Sequence, residues 1–171
     1  SEGGAYLGGG GWGNEIAAVS PLIAATWNQT TPYNQDCPAT PSGGSGGHTY
    51  VGCVATAMAM VMHFWGHPST GVGSHSYVHP TYGTQSADYG ATTYAWSSMP
   101  NSINASSPAA AKAAIAQLSY HCGVSVNMDY SPSGSGASTD DARDALVNHF
   151  RYKSSAQYRS RASYTTSTWN S

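Results

Sequence analysis

The longest run of apolar positions lies between Cys53 and Trp65 (Cys-Val-Ala-Thr-Ala-Met-Ala-Met-Val-Met-His-Phe-Trp). It is apolar nearly all round, which predicts a helix over 53–65 buried on most of its faces. A second helical stretch begins after Ser107. That serine suits the N-cap, Pro108 the first helical position, and Gly123 the residue just past the last turn, so a helix is expected near 108–121. A third, near 139–152, follows Ser138 and Thr139. Asp140 and Asp141 complement the positive end of its dipole, and Arg151 and Lys153 the negative end. Between the last two, Val124, Val126 and Met128 alternate with Ser125 and Asn127. That period of two predicts a short strand near 124–128 with one buried face.

The remaining stretches carry weaker signals. Residues 1–20 are Gly-rich (Gly3, Gly4, Gly8 to Gly11, Gly13) and read as an extended lead-in to a unit over 21–171. Residues 39–49 read as a flexible Gly/Ser loop, and 66–106 as loops and short strands. No internal repeat is present.

Composition changes the picture in one respect. Only 8% of residues are charged, against about 25% in an ordinary soluble domain. Phe occurs twice, while Tyr, Trp and Met number 12, 5 and 5. So few strong apolar residues signal disorder when net charge is high; here it is −2, and the aromatic and Met side chains can carry burial instead. The chain reads as ordered but core-poor, its interior completed by another polypeptide. No basic stripe marks a nucleic-acid binder. No run approaches about 18 apolar residues, so no membrane span is expected. No basic-plus-apolar leader opens the chain. The Ser/Thr/Gly/Asn/Tyr-rich surface leans extracellular.

The candidate chemistry begins at Cys53. Gly52-Cys53 immediately precedes the first helix, so the thiol faces the positive end of a helix dipole and its unpaired backbone N–H groups. Both favour the thiolate, the form that attacks carbonyl carbon. Gly52 leaves room for a substrate backbone. The bland alternative is a small buried cysteine on an Ala-rich helix. Three cysteines permit one disulfide plus a free thiol, so Cys37 and Cys122 are a possible pair, with two buried thiols as the alternative. No Cys-x-x-Cys is present to suggest a structural zinc site. His63 and His67 share metal-binding spacing, but no Glu follows His63, and Gly66 and Pro68 end the helix there. No metal is assigned.

Trp27-Asn28-Gln29, Pro32-Tyr33-Asn34 and Gly52-Cys53-Val54-Ala55-Thr56-Ala57 together resemble the streptopain family of papain-like cysteine peptidases. The resemblance continues in order through His63 to Pro68, Gly71 to Tyr77, Tyr94-Ala95-Trp96 with Met99-Pro100, Cys122 to Tyr130, Gly134 to Ala137, and Ala145-Leu146 with Phe150-Arg151-Tyr152. It spans about residues 20–169.

The resemblance implies an α+β papain-like fold, incomplete in this chain, and a secreted or cell-surface bacterial thiol endopeptidase made as a zymogen. It needs no cofactor. Its partner is a polypeptide substrate. Cys53 falls on the family's nucleophile and Gln29 on its oxyanion-hole glutamine, a residue that read alone is a surface loop glutamine. Gly52, Met128, Ser133, Gly134, Ser135 and Gly136 fall on or beside its substrate pocket, although Met128 to Gly136 also reads as a plain Gly/Ser turn.

The family's histidine lies in a Gly-Gly-His-Ala-Phe-Val-like motif that this chain does not contain. His48, in Gly46-Gly47-His48-Thr49-Tyr50-Val51, imitates it but precedes Cys53 on the wrong side. His75, His79, His121 and His149 read as solvated or structural. The expectation is a base supplied by a second chain of the same processed precursor, with Tyr158, Arg159, Arg161 and Tyr164 pairing against it. A fragment lacking the base, or an inactive peptide-binding relative, is the alternative.

Overall fold

The structure is a computed structural model of the chain, and it describes residues 20–165 and Thr168. The Gly-rich lead-in expected over 1–20 therefore lies, apart from Ser20, outside the described residues. Among the described residues the main regular elements are three helices and one hairpin: α1 (Cys53–Trp65), β1 (Ser74–His79), β2 (Gly83–Asp88), α2 (Ala109–Ser125) and α3 (Asp141–His149). The strands pair antiparallel from Ser74↔Asp88 to His79↔Gly83. Single 3₁₀ turns sit at Trp96–Ser98 and Arg161–Ser163.

The apolar run 53–65 forms α1 over the expected residues. Gly66, in the left-handed region at φ 55°, closes it by donating its N–H back to the carbonyls of the last turn. Its burial is narrower than the sequence suggested. Val54, Ala55, Thr56, Met58, Ala59 and Met62 face the core, while Cys53, Ala57, Phe64 and Trp65 are exposed.

Helix α2 runs past its expected end. It continues through Gly123 and Val124 to Ser125, and Asn127 then turns in the left-handed region at φ 50°, so the strand expected near 124–128 is absent. Gly123 is not a stop signal. A Cβ there would overlap the Tyr130 hydroxyl, so the glycine admits that ring against the helix. Val124, Val126 and Met128 are all buried because the helix end and the turn after it curl into the core, which mimics strand alternation. At the other end the cap falls at Pro108, and the Ser107 hydroxyl accepts from the Asn104 N–H instead. Helix α3 is shorter than the expected 139–152. Arg151 lies beyond it at φ 59° and donates to the Thr70 and Gly71 carbonyls.

Helix α2 packs between α1, the hairpin and α3. Met62, Ile115, Leu118, Tyr89, Tyr130 and Phe150 are fully buried, so Met and Tyr do take the place of the missing Leu and Phe. The 39–49 loop is tied down. Asn34 Nδ2 donates to the Ser45 and Thr49 carbonyls at 2.9 Å each, and the Thr49 N–H reaches Pro38 at 2.9 Å.

His121 lies inside this aromatic core, its Nδ1 3.0 Å from the Tyr94 hydroxyl. Burial pushes its imidazole down to about 4, against weak opposition from Asp88. The unfolded chain takes up this proton near pH 6.5, the folded chain only near 4. The associated stability is therefore complete above pH 6.5 and is lost as pH falls from 6.5 to 4, by at most about 3 kcal/mol. Urea unfolding at pH 7 and pH 4.5 should show this drop, and His121→Asn should lessen it.

Candidate active site

The segment 26–29 is held by groups far away in sequence. The Thr26 N–H donates to the Asn101 carbonyl at 2.8 Å, and Trp27 Nε1 donates to the Pro100 carbonyl at 2.9 Å. The Trp27 ring lies 4.6 Å from the His63 imidazole, whose Nε2 is 2.7 Å from the Met99 carbonyl. Asn28 Oδ1 accepts from both the N–H and the hydroxyl of Thr30, at 2.9 and 2.8 Å, turning the chain. The Gln29 carbonyl then accepts the Val51 N–H at 3.1 Å, which sets Gln29 beside the strand of chain that leads into α1.

That lead-in is built around Gly52. Its φ of +92° suits glycine, and the thioether of the buried Met128 lies directly against it. One residue later α1 begins. Both the N–H and the hydroxyl of Thr56 bind the Gly52 carbonyl, each at 3.0 Å, closing the first turn. No side chain caps the helix, so its first N–H groups stay available. The opposite wall comes from the 129–136 loop. Asp129 and Gly136 pair through both backbone bonds at 2.9 and 3.1 Å, and Ser135 Oγ donates to the Tyr50 carbonyl at 2.6 Å.

Together these elements enclose an open groove of about 530 Å³. Trp27, Asn28, Gln29 and Thr30 line one side, Tyr50, Ser133 and Gly134 another, and Cys53, Thr56, Ala57 and Met60 the floor. Cys53 is exposed in it. The Gln29 side-chain amide makes no hydrogen bond among the described residues. All seven histidines are engaged elsewhere, and none lines the groove: His48 at the Cys37 carbonyl, His63 at Met99, His67 at Arg151, His75 at Asn127, His79 at Asp129, His121 at Tyr94 and His149 at Val72.

The peptidase C10 family profile matches residues 27–171. The chain belongs to the peptidase C10 family. Among C10 relatives, the thiol protease/hemagglutinin PrtT of Porphyromonas gingivalis is 35% identical over 145 residues, which are 82% of this chain and 16% of that protein. Streptopain of Streptococcus pyogenes serotype M28 is 29% identical over 158 residues, 85% of this chain and 40% of that protein. The structure of the active wild-type interpain A cysteine protease of Prevotella intermedia superposes with a TM-score of 0.80 at 38% identity, covering 89% of this chain and 62% of that one. The fold is thus the papain-like α+β fold of C10 proteases, of which this chain forms a part, and its relatives are bacterial cysteine proteases.

Within this C10 chain the structure brings Cys53, Gln29, Ser133 and Gly134 into one groove. It does not bring the other residues singled out by sequence to the groove's lining. Gly52 and Met128 lie buried behind Cys53, Ser135 fastens the loop to Tyr50, and Gly136 pairs with Asp129. Cys37 and Cys122 are not bonded to each other; both are buried free thiols, and Cys122 Sγ lies 3.7 Å from Met62 Sδ. Burial pushes Cys37 up to about 12, and Cys122 further in the same direction. The floor residues Thr56, Ala57 and Met60 are not among the site residues the sequence singles out. Their offsets of three, four and seven from Cys53 place them on one helix face with it, which was the available signal.

Proposed function

We propose that this chain carries the nucleophilic part of a cysteine endopeptidase. Cys53 exposed at an uncapped helix start, in one groove with an unpartnered Gln29 amide, is the observation that supports this reading most. The Cys53 thiolate attacks the scissile carbonyl carbon. The resulting oxyanion is held by the Gln29 side-chain N–H and the Cys53 backbone N–H. The C–N bond then breaks, the amine leaves with a proton from an imidazolium, and water hydrolyses the thioester. The imidazole comes from outside these residues, on a second chain of the same processed precursor. The engagement of all seven histidines elsewhere supports that origin, as does the open stripe on α1, where Phe64 and Trp65 are 41% and 67% exposed. The protein acts on polypeptides, outside a bacterial cell, after processing from a zymogen. A mass spectrum of native, active material that shows a single uncut polypeptide counts against the two-chain arrangement.

The same engagement of every histidine favours a second reading, a peptide-binding module without a base. Thiol labelling separates the two and is a sharp prediction. Iodoacetamide on the native protein should modify Cys53 alone, because burial shields Cys37 and Cys122 and keeps them protonated; unfolding without reductant should release three reactive thiols. Rapid labelling of Cys53 at mildly acidic pH in native material supports the peptidase reading, in which an imidazolium adds to the helix start in holding the thiolate. Slow labelling that rises only toward alkaline pH supports the binding module instead.

A further inference from the structure

A second groove, of about 540 Å³, lies on the other side of the same loop. Ser131 and Pro132 line it, while the next two residues, Ser133 and Gly134, line the Cys53 groove. The loop is therefore a shared wall. Pro41, Pro80 and Pro132 supply rigid apolar surface with no N–H to satisfy.

One charge stands in this groove, and it is held in place. His79, 3% exposed, accepts the N–H groups of Thr81 and Tyr82 at its Nδ1, at 3.1 and 3.2 Å. A nitrogen that accepts two backbone N–H bonds carries no proton, so the ring is neutral and its proton sits on Nε2. Nε2–H donates to Asp129 Oδ1 at 3.0 Å. The Asp129 side chain is otherwise 83% exposed, and its second oxygen has no partner among the described residues. The hairpin turn thus spends a buried, neutral imidazole on aiming one carboxylate outward. Asp129 is the only ionised side chain in the lining, and Tyr82 offers an aromatic ring in the same groove. No Asp, Glu, Lys or Arg lines the Cys53 groove.

From this we infer that the second groove binds an arginine or lysine of the polypeptide substrate, at a distance from the bond being cut. The occupant's identity as substrate rests on the function proposed above; the binding itself does not. A guanidinium meets the free Asp129 oxygen and stacks on Tyr82, and proline neighbours pack along the three rim prolines. An exposed carboxylate and one ring face give a modest preference, about five- to tenfold between arginine and an uncharged analogue.

The test uses the full chain, with any segment it travels with, carrying Cys53→Ala so that nothing is hydrolysed. Fluorescein-labelled Gly-Pro-Arg-Pro-Gly and its citrulline counterpart are compared by anisotropy. The expected result is tighter binding of the arginine peptide by that factor at low salt, lost in Asp129→Asn and in about 0.5 M NaCl. Equal binding of the two peptides overturns the inference, and so does an arginine preference that survives Asp129→Asn. Asp129 is exposed, so its replacement leaves the fold intact, which a thermal melt verifies. Because Cys53 is absent throughout, the outcome is independent of whether labelling supports hydrolysis.

Discussion

Replacing Gln29 with alanine in the proteolytically competent protein is expected to lower kcat about a hundred- to a thousandfold and to leave KM nearly unchanged. The reason lies in what the side chain does and does not hold. The bond that fixes this segment to the lead-in of α1 uses the Gln29 backbone carbonyl, which accepts from Val51, and the turn before it is closed by Asn28. Alanine keeps both. The side-chain amide has no partner among the described residues and lines the groove with Cys53, so its N–H is available for an oxygen that becomes negative only during attack. Loss of one such donor typically costs about 3–4 kcal/mol in the transition state and little in the ground state. A rise in KM with kcat preserved would show instead that Gln29 merely lines the groove. Unchanged kcat and KM together remove it from the site. Circular dichroism and melting temperature should match the parent in every case.

Much of this arrangement was legible in the chain. The apolar run from Cys53 fixed α1 to the residue, because a helix start after Gly52 and a glycine stop at Gly66 are both local signals. The motifs around Cys53 and Gln29 also singled out two residues that the fold places in one groove. What failed was local inference where tertiary packing decides. Gly123 looks like a stop signal, but its role is to make room for Tyr130, a residue that arrives only after a turn in the left-handed region. The alternation of Val124, Val126 and Met128 records burial at a helix end and in the turn after it, not a pleat. The resemblance puts Ser133 and Gly134, which line the groove, and also Ser135 and Gly136, which do not, on or beside the substrate pocket. A tight loop turns consecutive residues to different tasks, and these two brace the wall that the others present. The pairing considered for Cys37 and Cys122 depended on a separation in space that the chain's one-dimensional order does not contain.

Gly52→Ala is the second large effect, and it should act on stability and on the nucleophile's position together. The residue sits at φ +92°, where a Cβ carries strain of about 1–3 kcal/mol whatever surrounds it. The new methyl would also lie 2.5 Å from Met128 Sδ and 3.4 Å from the Ser135 carbonyl. The thioether is the far end of a flexible side chain, but Met128 is fully buried, so moving it disturbs a filled core at about 1–3 kcal/mol more. A total of about 2–6 kcal/mol is a large share of a domain's stability. The two contributions separate in a double-mutant cycle with Met128→Ala, read by urea unfolding. That substitution empties the space the methyl needs but leaves φ alone. If overlap dominates, the double variant is more stable than the sum of the single changes predicts; if backbone strain dominates, the effects add. In either case α1 can no longer start from the same dihedral. Native thiol labelling of Cys53 in Gly52→Ala should therefore slow even under conditions where the protein remains folded, and an unchanged labelling rate would show that the helix start tolerates a side chain before the nucleophile.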